Sequence, residues 1–386
     1  MSDGLAPMSD QRDDRRRDVL RANGASDRVA IEILASDTLP YTRDDRVLQL
    51  PLKDEPMAEA WRRYAVESRG SDAAVTLARH LIQLRFPVQA GISETDAYRR
   101  ATRRGDTSAA DAFAPGLVLR DPAAVVVDVV SSMAGGVPVI VAGDRADFVS
   151  LVQALTGRNE PIEVPAAMGA CLVKGLNNWS RIADLRSAWT TRTGRSDDAE
   201  WADEFRGIVP RKELYQDRLV ILSRGPYSAT PAADTGVSDD EWLTRSLAIR
   251  REHELTHYFT YRVFGTMRSH VVDELVADFV GLALGGGGYR ADLALRFLGL
   301  EAFPAYRQGG RLEHYRGDPP LSDEAFAVIQ RLVVAAAHNL EVLAARTRPS
   351  IEDLGALGRL TVRLVASTIE ELASPDMPSA IADGDA

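Results

Sequence analysis

The stretch His253-Glu254-Leu255-Thr256-His257 lies inside a long run of helical periodicity that Ser238 opens and Gly265 closes. Spacing of four residues puts both imidazoles on one face of that helix. A second helical run, Ser269 to Leu284, carries Glu274 and Asp278 at the same spacing and ends in Gly285 through Gly288. In a helix-loop-helix arrangement the second stripe turns back onto the first. The chain must therefore supply two helices packed stripe to stripe.

Two neutral imidazoles and one carboxylate suit a divalent cation, and His253, His257 and Glu274 are the expected ligands. Three protein ligands leave a fourth position open, as a catalytic zinc ion requires. Glu254 follows the first histidine directly, so its carboxylate falls beside the ion and can serve as general base. Asp278 can accept the free ring N–H of a ligating histidine and so fix its tautomer. His270 lies four residues before Glu274 and competes with it as third ligand. A third histidine in the spacing H-E-x-x-H-x-x-G-x-x-H is absent, however, because Thr260 and Val263 stand in that stretch. Glu274 is preferred, and His270 is read as lining the pocket or capping the second helix.

H-E-x-x-H followed by a helix bearing E-x-x-[AS]-[DN] resembles the gluzincin metallopeptidases, the thermolysin-like clan, over residues 238 to 284. The resemblance implies one zinc ion on His253, His257 and Glu274, with Glu254 as base and Asp278 behind the ligands. It also implies an upstream strand whose edge binds peptide, for which Arg218 to Ser223 is the candidate. A histidine or tyrosine beyond the third ligand would stabilise the oxyanion. In Glu313-His314-Tyr315-Arg316, the only downstream cluster of that chemistry, His314 is taken as that residue. Tyr258 and Tyr261 share the metal-site helix but point elsewhere, as packing residues.

The remaining composition narrows the setting. A chain of 386 residues usually holds more than one core, and 45% hydrophobic with 26% charged residues is globular composition. A formal net charge of -10 argues against nucleic acid and gives no attraction to an anionic membrane. The most apolar window, Ala123 to Ala142, is interrupted by Asp128, glycines and Pro138, so no membrane span is expected there. The single cysteine, Cys171, excludes an internal disulfide and reads as a packed apolar side chain. The N-terminus lacks an apolar stretch of signal type, and a cytoplasmic location is expected.

Residues 1–27 are charged and aperiodic, and are read as a flexible tail. An α/β domain of unassigned role is expected over 28–190. Its strands are Val29 to Leu34, Arg46 to Leu52, Ala123 to Val130, Val137 to Ala142 and Gly169 to Gly175. Its helices cover Ala58 to Leu84, with a break at Gly70 and Ser71, and Ala146 to Leu155, and a further one begins near Arg181. The turn Gly143-Asp144 carries neither a GxGxxG nor a GxxxxGK[ST] pattern, so it is a plain connection rather than a phosphate cradle. The charge-rich run Arg99 to Asp106 reads as a solvated helix end, and His80 and His338 as packed or surface histidines. A mostly helical, zincin-like metallohydrolase domain is expected over 191–386, with later helices near 290–300, 322–346 and 350–373. The fold class is thus α+β.

The expected activity is hydrolysis of a peptide or small amide bond, with no nucleic-acid or membrane partner. Two alternatives stay open. One is a non-catalytic module in which zinc stabilises a binding or sensing domain. The other is a metal hydrolase for a non-peptide small molecule.

Overall fold

The computed structural model describes residues 6–36, 41, 48–69, 72–266 and 270–383, with side chains from residue 12 onward. The chain is α+β, mainly helical, with one four-stranded sheet. It divides into two units, one formed by Leu52–Gly225 and the other by Met1–Pro51 together with Pro226–Ala386. The division differs from the boundary expected at 190–200, because the N-terminal residues pack with the C-terminal helices.

Two helices open the split unit, α1 (Ala6–Ala22) and α2 (Asp27–Ser36). The expected tail is therefore corrected to a helix. Its own sequence gives it little apolar face, and tertiary partners hold it. Leu20 is fully buried, buried Arg16 reaches Glu370 at 3.3 Å, and Arg12 pairs with Glu371 at 2.8 Å. The strand expected at Val29 to Leu34 is also corrected, to α2. Val29, Ala30 and Ile33 are its buried residues, which is helical spacing. Most of the strand expected at Arg46 to Leu52 lies outside the described residues, and from Leu48 the backbone is irregular.

The continuous unit begins with α3 (Met57–Ser68) and α4 (Ala73–His80). The break expected between them at Gly70 and Ser71 lies outside the described residues. His80 is part-buried and stacks on Tyr64 at 3.8 Å. The charge-rich run forms α5 (Asp96–Arg104), closed by Gly105 at φ 74. The hairpin β1 (Val126–Ser132) and β2 (Gly135–Ala142) leads into α6 (Arg145–Leu155). Next come β3 (Ala170–Asn177), α7 (Trp179–Thr193), α8 (Asp198–Ile208) and β4 (Gln216–Ser223). The polar segment Thr190 to Glu200, where the domain boundary is expected, holds the end of α7, a short connection and the start of α8, which Asp197 caps. Cys171 sits half-buried in β3.

The sheet order is β1-β2-β4-β3, with β2 and β4 parallel and the other pairs antiparallel. Strand β4 is thus paired on both sides. Leu219, Val220, Ile221 and Leu222 are each fully buried, as suits a central strand. Arg218 to Ser223 therefore offers no free edge to a peptide, and that expectation is corrected. Beside β4, buried Asp217 pairs with Arg181 and accepts from Trp61 Nε1 at 2.8 Å and Asn178 Nδ2 at 2.7 Å. Burial raises the Asp217 carboxyl, and these donors offset part of that cost.

The chain then returns to the split unit with α9 (Asp239–Phe264) and α10 (Val271–Gly285). The Ser238 hydroxyl caps α9 by accepting from the Glu241 N–H, and Gly265 closes it at φ 73. Five helices follow: α11 (Ala291–Leu298), α12 (Asp323–Thr347), α13 (Leu354–Val365), α14 (Ile369–Ala373) and α15 (Met377–Ala382). The single helix expected over 350–373 is split, because Thr368 and Glu371 form a capping box that starts α14. Helix α12 is long and apolar enough to cross a membrane, but it is half buried inside the protein. Its Leu332, Val333, Ala336, Ala337 and Leu340 have no exposed surface.

Glycines set how closely α9 and α10 approach. A Cβ added at Gly281 would stand 2.8 Å from the Ile249 carbonyl oxygen, and one at Gly285 2.5 Å from the Ile249 nitrogen. No side chain fits there. This contact lies one turn from His253, whose Cβ is 3.6 Å from the position of the added Gly281 Cβ.

Candidate metal centre

Helix α9 turns His253 and His257 inward, leaving both buried, and α10 brings Glu274 against them. The two Nε2 atoms are 3.1 Å apart. Carboxylate oxygens of Glu274 lie 3.3 Å from His257 Nε2 and 3.6 Å from His253 Nε2. Ligands about 2.0–2.1 Å from a tetrahedral ion stand about 3.3 Å apart, so the observed edges suit one ion. Among the described residues these three form the group able to hold a metal ion.

The charges agree with the geometry. Burial would depress the basicity of His257, but the hydrogen bond and charge of Glu274 more than reverse this and raise it to about 9. Glu254 contributes to the same field at His257. Burial opposes the Glu274 anion, yet His257, His253 and Arg311 hold its carboxyl well below the usual range. Neighbouring histidines and a carboxylate therefore share one buried charge balance, which a cation would take over.

Behind the ligands, Asp278 Oδ1 lies 2.9 Å from His253 Nδ1. That contact leaves Nε2 facing the cluster. Asp278 is buried, and Arg311 and His253 overcome the cost of burial and hold its carboxyl lowered. Arg311 donates to Asp278 Oδ2, and the Tyr227 hydroxyl donates to Oδ1 at 2.7 Å.

The downstream segment behaves differently from its expected role. A short 3-10 turn, Arg311–Tyr315, turns His314 to solvent. Its neighbours meet the centre instead: Arg311 donates to Asp278, and half-buried Tyr315 lies within the field of the Glu274 carboxylate. Burial and the Glu274 charge raise the Tyr315 phenol, so it stays protonated and able to donate. His314 is thus exposed, whereas Tyr315 is half-buried. In a 3-10 turn the spacing of Arg311 and Tyr315 gives no common face, so no sequence signal pointed to them. His270 caps α10, accepting from the Val272 N–H at 3.3 Å, and is not one of the clustered ligands. Tyr258 is buried and Tyr261 half-buried on α9. His338 is exposed on α12.

Residues 18–376 match a protein family described as "Family of unknown function (DUF7005)". No curated protein and no solved structure matches the chain.

Proposed function

The chain belongs to the DUF7005 family, whose function is unknown, and from its buried ligand cluster we propose that it is a zinc-dependent hydrolase of gluzincin type, acting on a peptide or small amide. The observation that carries this reading is the convergence of His253 Nε2, His257 Nε2 and the Glu274 carboxylate at separations suited to one tetrahedral ion. Two imidazoles and one carboxylate favour zinc among common divalent ions.

Zinc bound there would polarise a carbonyl and acidify water. Glu254, half-buried and next to His253, takes the proton from the attacking water and returns it to the leaving nitrogen. Tyr315, kept neutral by burial and by the Glu274 charge, is the donor we assign to the developing oxyanion. Asp278 holds the His253 ring in one tautomer, and Arg311 balances the Asp278 charge.

The non-catalytic alternative needs a further protein ligand to close the coordination sphere. His270, the fourth ligand that the sequence offers, is engaged as the cap of α10, which favours the open, catalytic reading. The decisive variant is Glu254→Gln. Purified Glu254→Gln is expected to retain one zinc per chain by elemental analysis while losing turnover against a peptide library that the wild type cleaves. Unchanged turnover in that variant overturns the mechanism.

A further inference from the structure

We propose that Tyr227 is a positioning residue of the metal centre, whose hydroxyl locks the His253 imidazole through Asp278. This rests on the reading of the cluster as a metal site. Tyr227 Oη lies 2.7 Å from Asp278 Oδ1 and 2.9 Å from His253 Nδ1, and the same Oδ1 lies 2.9 Å from that Nδ1. The three atoms close a triangle on the side of the ring away from Nε2. Phenol and imidazole both donate to Oδ1, while Oδ2 is taken by Arg311. Rotation of the His253 ring out of this position breaks its bond to Asp278 and brings it against the phenol oxygen. A ligand nitrogen held in this way needs no reordering to meet an ion.

Packing does not account for the hydroxyl. The Tyr227 ring already meets Phe297 edge-on at 4.8 Å and has the Arg250 guanidinium 5.7 Å from its centre, contacts that phenylalanine would keep. The backbone behind it takes an uncommon path. Ser228 at φ 51 and Ala229 at φ 54 are consecutive non-glycine residues in the left-handed region. That turn is pinned at both ends: the Tyr227 N–H donates to Ser246 Oγ of α9 at 2.9 Å, and Ser228 Oγ donates to the Phe297 carbonyl at 3.2 Å. The strained turn delivers the phenol to Asp278 and His253, and the phenol oxygen also accepts from Arg311 Nη1 at 3.4 Å.

The test uses the full chain, stripped of metal and titrated with zinc against a chromogenic chelator, and with Co2+ for its visible spectrum. Tyr227→Phe is expected to weaken zinc binding about tenfold, the range typical of groups behind metal ligands, and to shift the Co2+ bands. Melting of the stripped variant should stay close to that of the stripped wild type. In an Asp278→Asn background the same change should cost less than about twofold, because the phenol acts through Asp278. Unchanged zinc affinity and Co2+ spectrum in Tyr227→Phe overturn the proposal, as does an equal loss in the Asp278→Asn background. Should Tyr227→Phe fail to fold, Ser246→Ala releases the turn while keeping the phenol. It is expected to weaken zinc in the same direction, and no change there overturns the proposal. A wild type that takes up no zinc instead overturns the metal reading itself, and this inference with it.

Discussion

His253, His257, Glu274 and Asp278 could be read from the chain because each pair sits four apart on a helix, and helical geometry is rigid enough to convert spacing into direction. Tyr227, Arg311 and Tyr315 reach the same centre from a turn and a short 3-10 segment, where spacing carries no direction. His314 and Tyr315 have similar chemistry and adjacent numbers, and only the backbone decides which faces the ligands. Two predictions follow at this scale. Tyr315→Phe should lower kcat on the order of 100-fold with zinc content unchanged, as expected for loss of one oxyanion donor. Steady-state kinetics beside elemental analysis checks it, and equal loss of zinc would show a ligand-supporting role instead. Arg311→Met removes the partner of a carboxylate that is 1% exposed. Breaking a buried pair from one side costs about 3–5 kcal/mol, so denaturant unfolding of this variant should show a loss of that order.

Among the helices and strands, periodicity succeeded where a buried face was long and failed where it was short. The strands β2 and β4 were legible as β-branched runs, whereas α2 offers only one apolar run of strand length, and its helical state depends on packing. The packing of α9 on α10 was legible from their facing stripes, but its closeness was not, since nothing in the sequence marks Gly281 as lying against the Ile249 backbone. Gly281→Ala tests that contact. Alanine gains about 1 kcal/mol of helix propensity, but its Cβ would stand 2.8 Å from the Ile249 carbonyl oxygen, which cannot swing away. Overpacking costs typically about 1–3 kcal/mol, so the variant should be less stable than wild type and bind zinc more weakly. Calorimetric melting with and without zinc measures both. In the other unit, Glu160 accepts from the Gly91 and Ser93 backbone N–H groups at 2.7 and 2.8 Å, tying the turn before α5. These bonds lower its carboxyl pKa, the Ser93 contacts most. A carboxyl lowered by folding stabilises above its unfolded pKa, and the contribution fades as pH falls through the folded value. Glu160→Gln should therefore flatten the fall in melting temperature below about pH 4.5, and a parallel fall in both proteins would remove Glu160 from the account.

For the molecule as a whole, local patterns could not reveal that the first residues belong with the last. Arg12 and Arg16 look like part of a solvated charge run, and their partners Glu371 and Glu370 lie at the far end of the sequence. A unit assembled from two distant pieces leaves no compositional shift at its boundaries, and the polar stretch Thr190 to Glu200 only spans the link between α7 and α8 inside the continuous unit. If the proposed metal site is filled, this organisation would make metal removal selective. The ligands all lie in the split unit, formed by Met1–Pro51 with Pro226–Ala386, while the sheet belongs to Leu52–Gly225. A ligand that binds only the folded state stabilises by about 4 kcal/mol at a thousand times its dissociation constant. That energy acts on the unit that holds the site. Chelation should therefore lower hydrogen-exchange protection across α9 and α10 while leaving β2 and β4 nearly unchanged. Trp242 is the one tryptophan of the split unit among the chain's 5, and it is buried at 2% exposure. With Trp61, Trp179, Trp189 and Trp201 replaced by phenylalanine, its emission should report a melting transition that moves down on chelation. Equal loss of protection in the sheet would mean that the two units unfold as one, and the energy of metal binding would then belong to the entire chain.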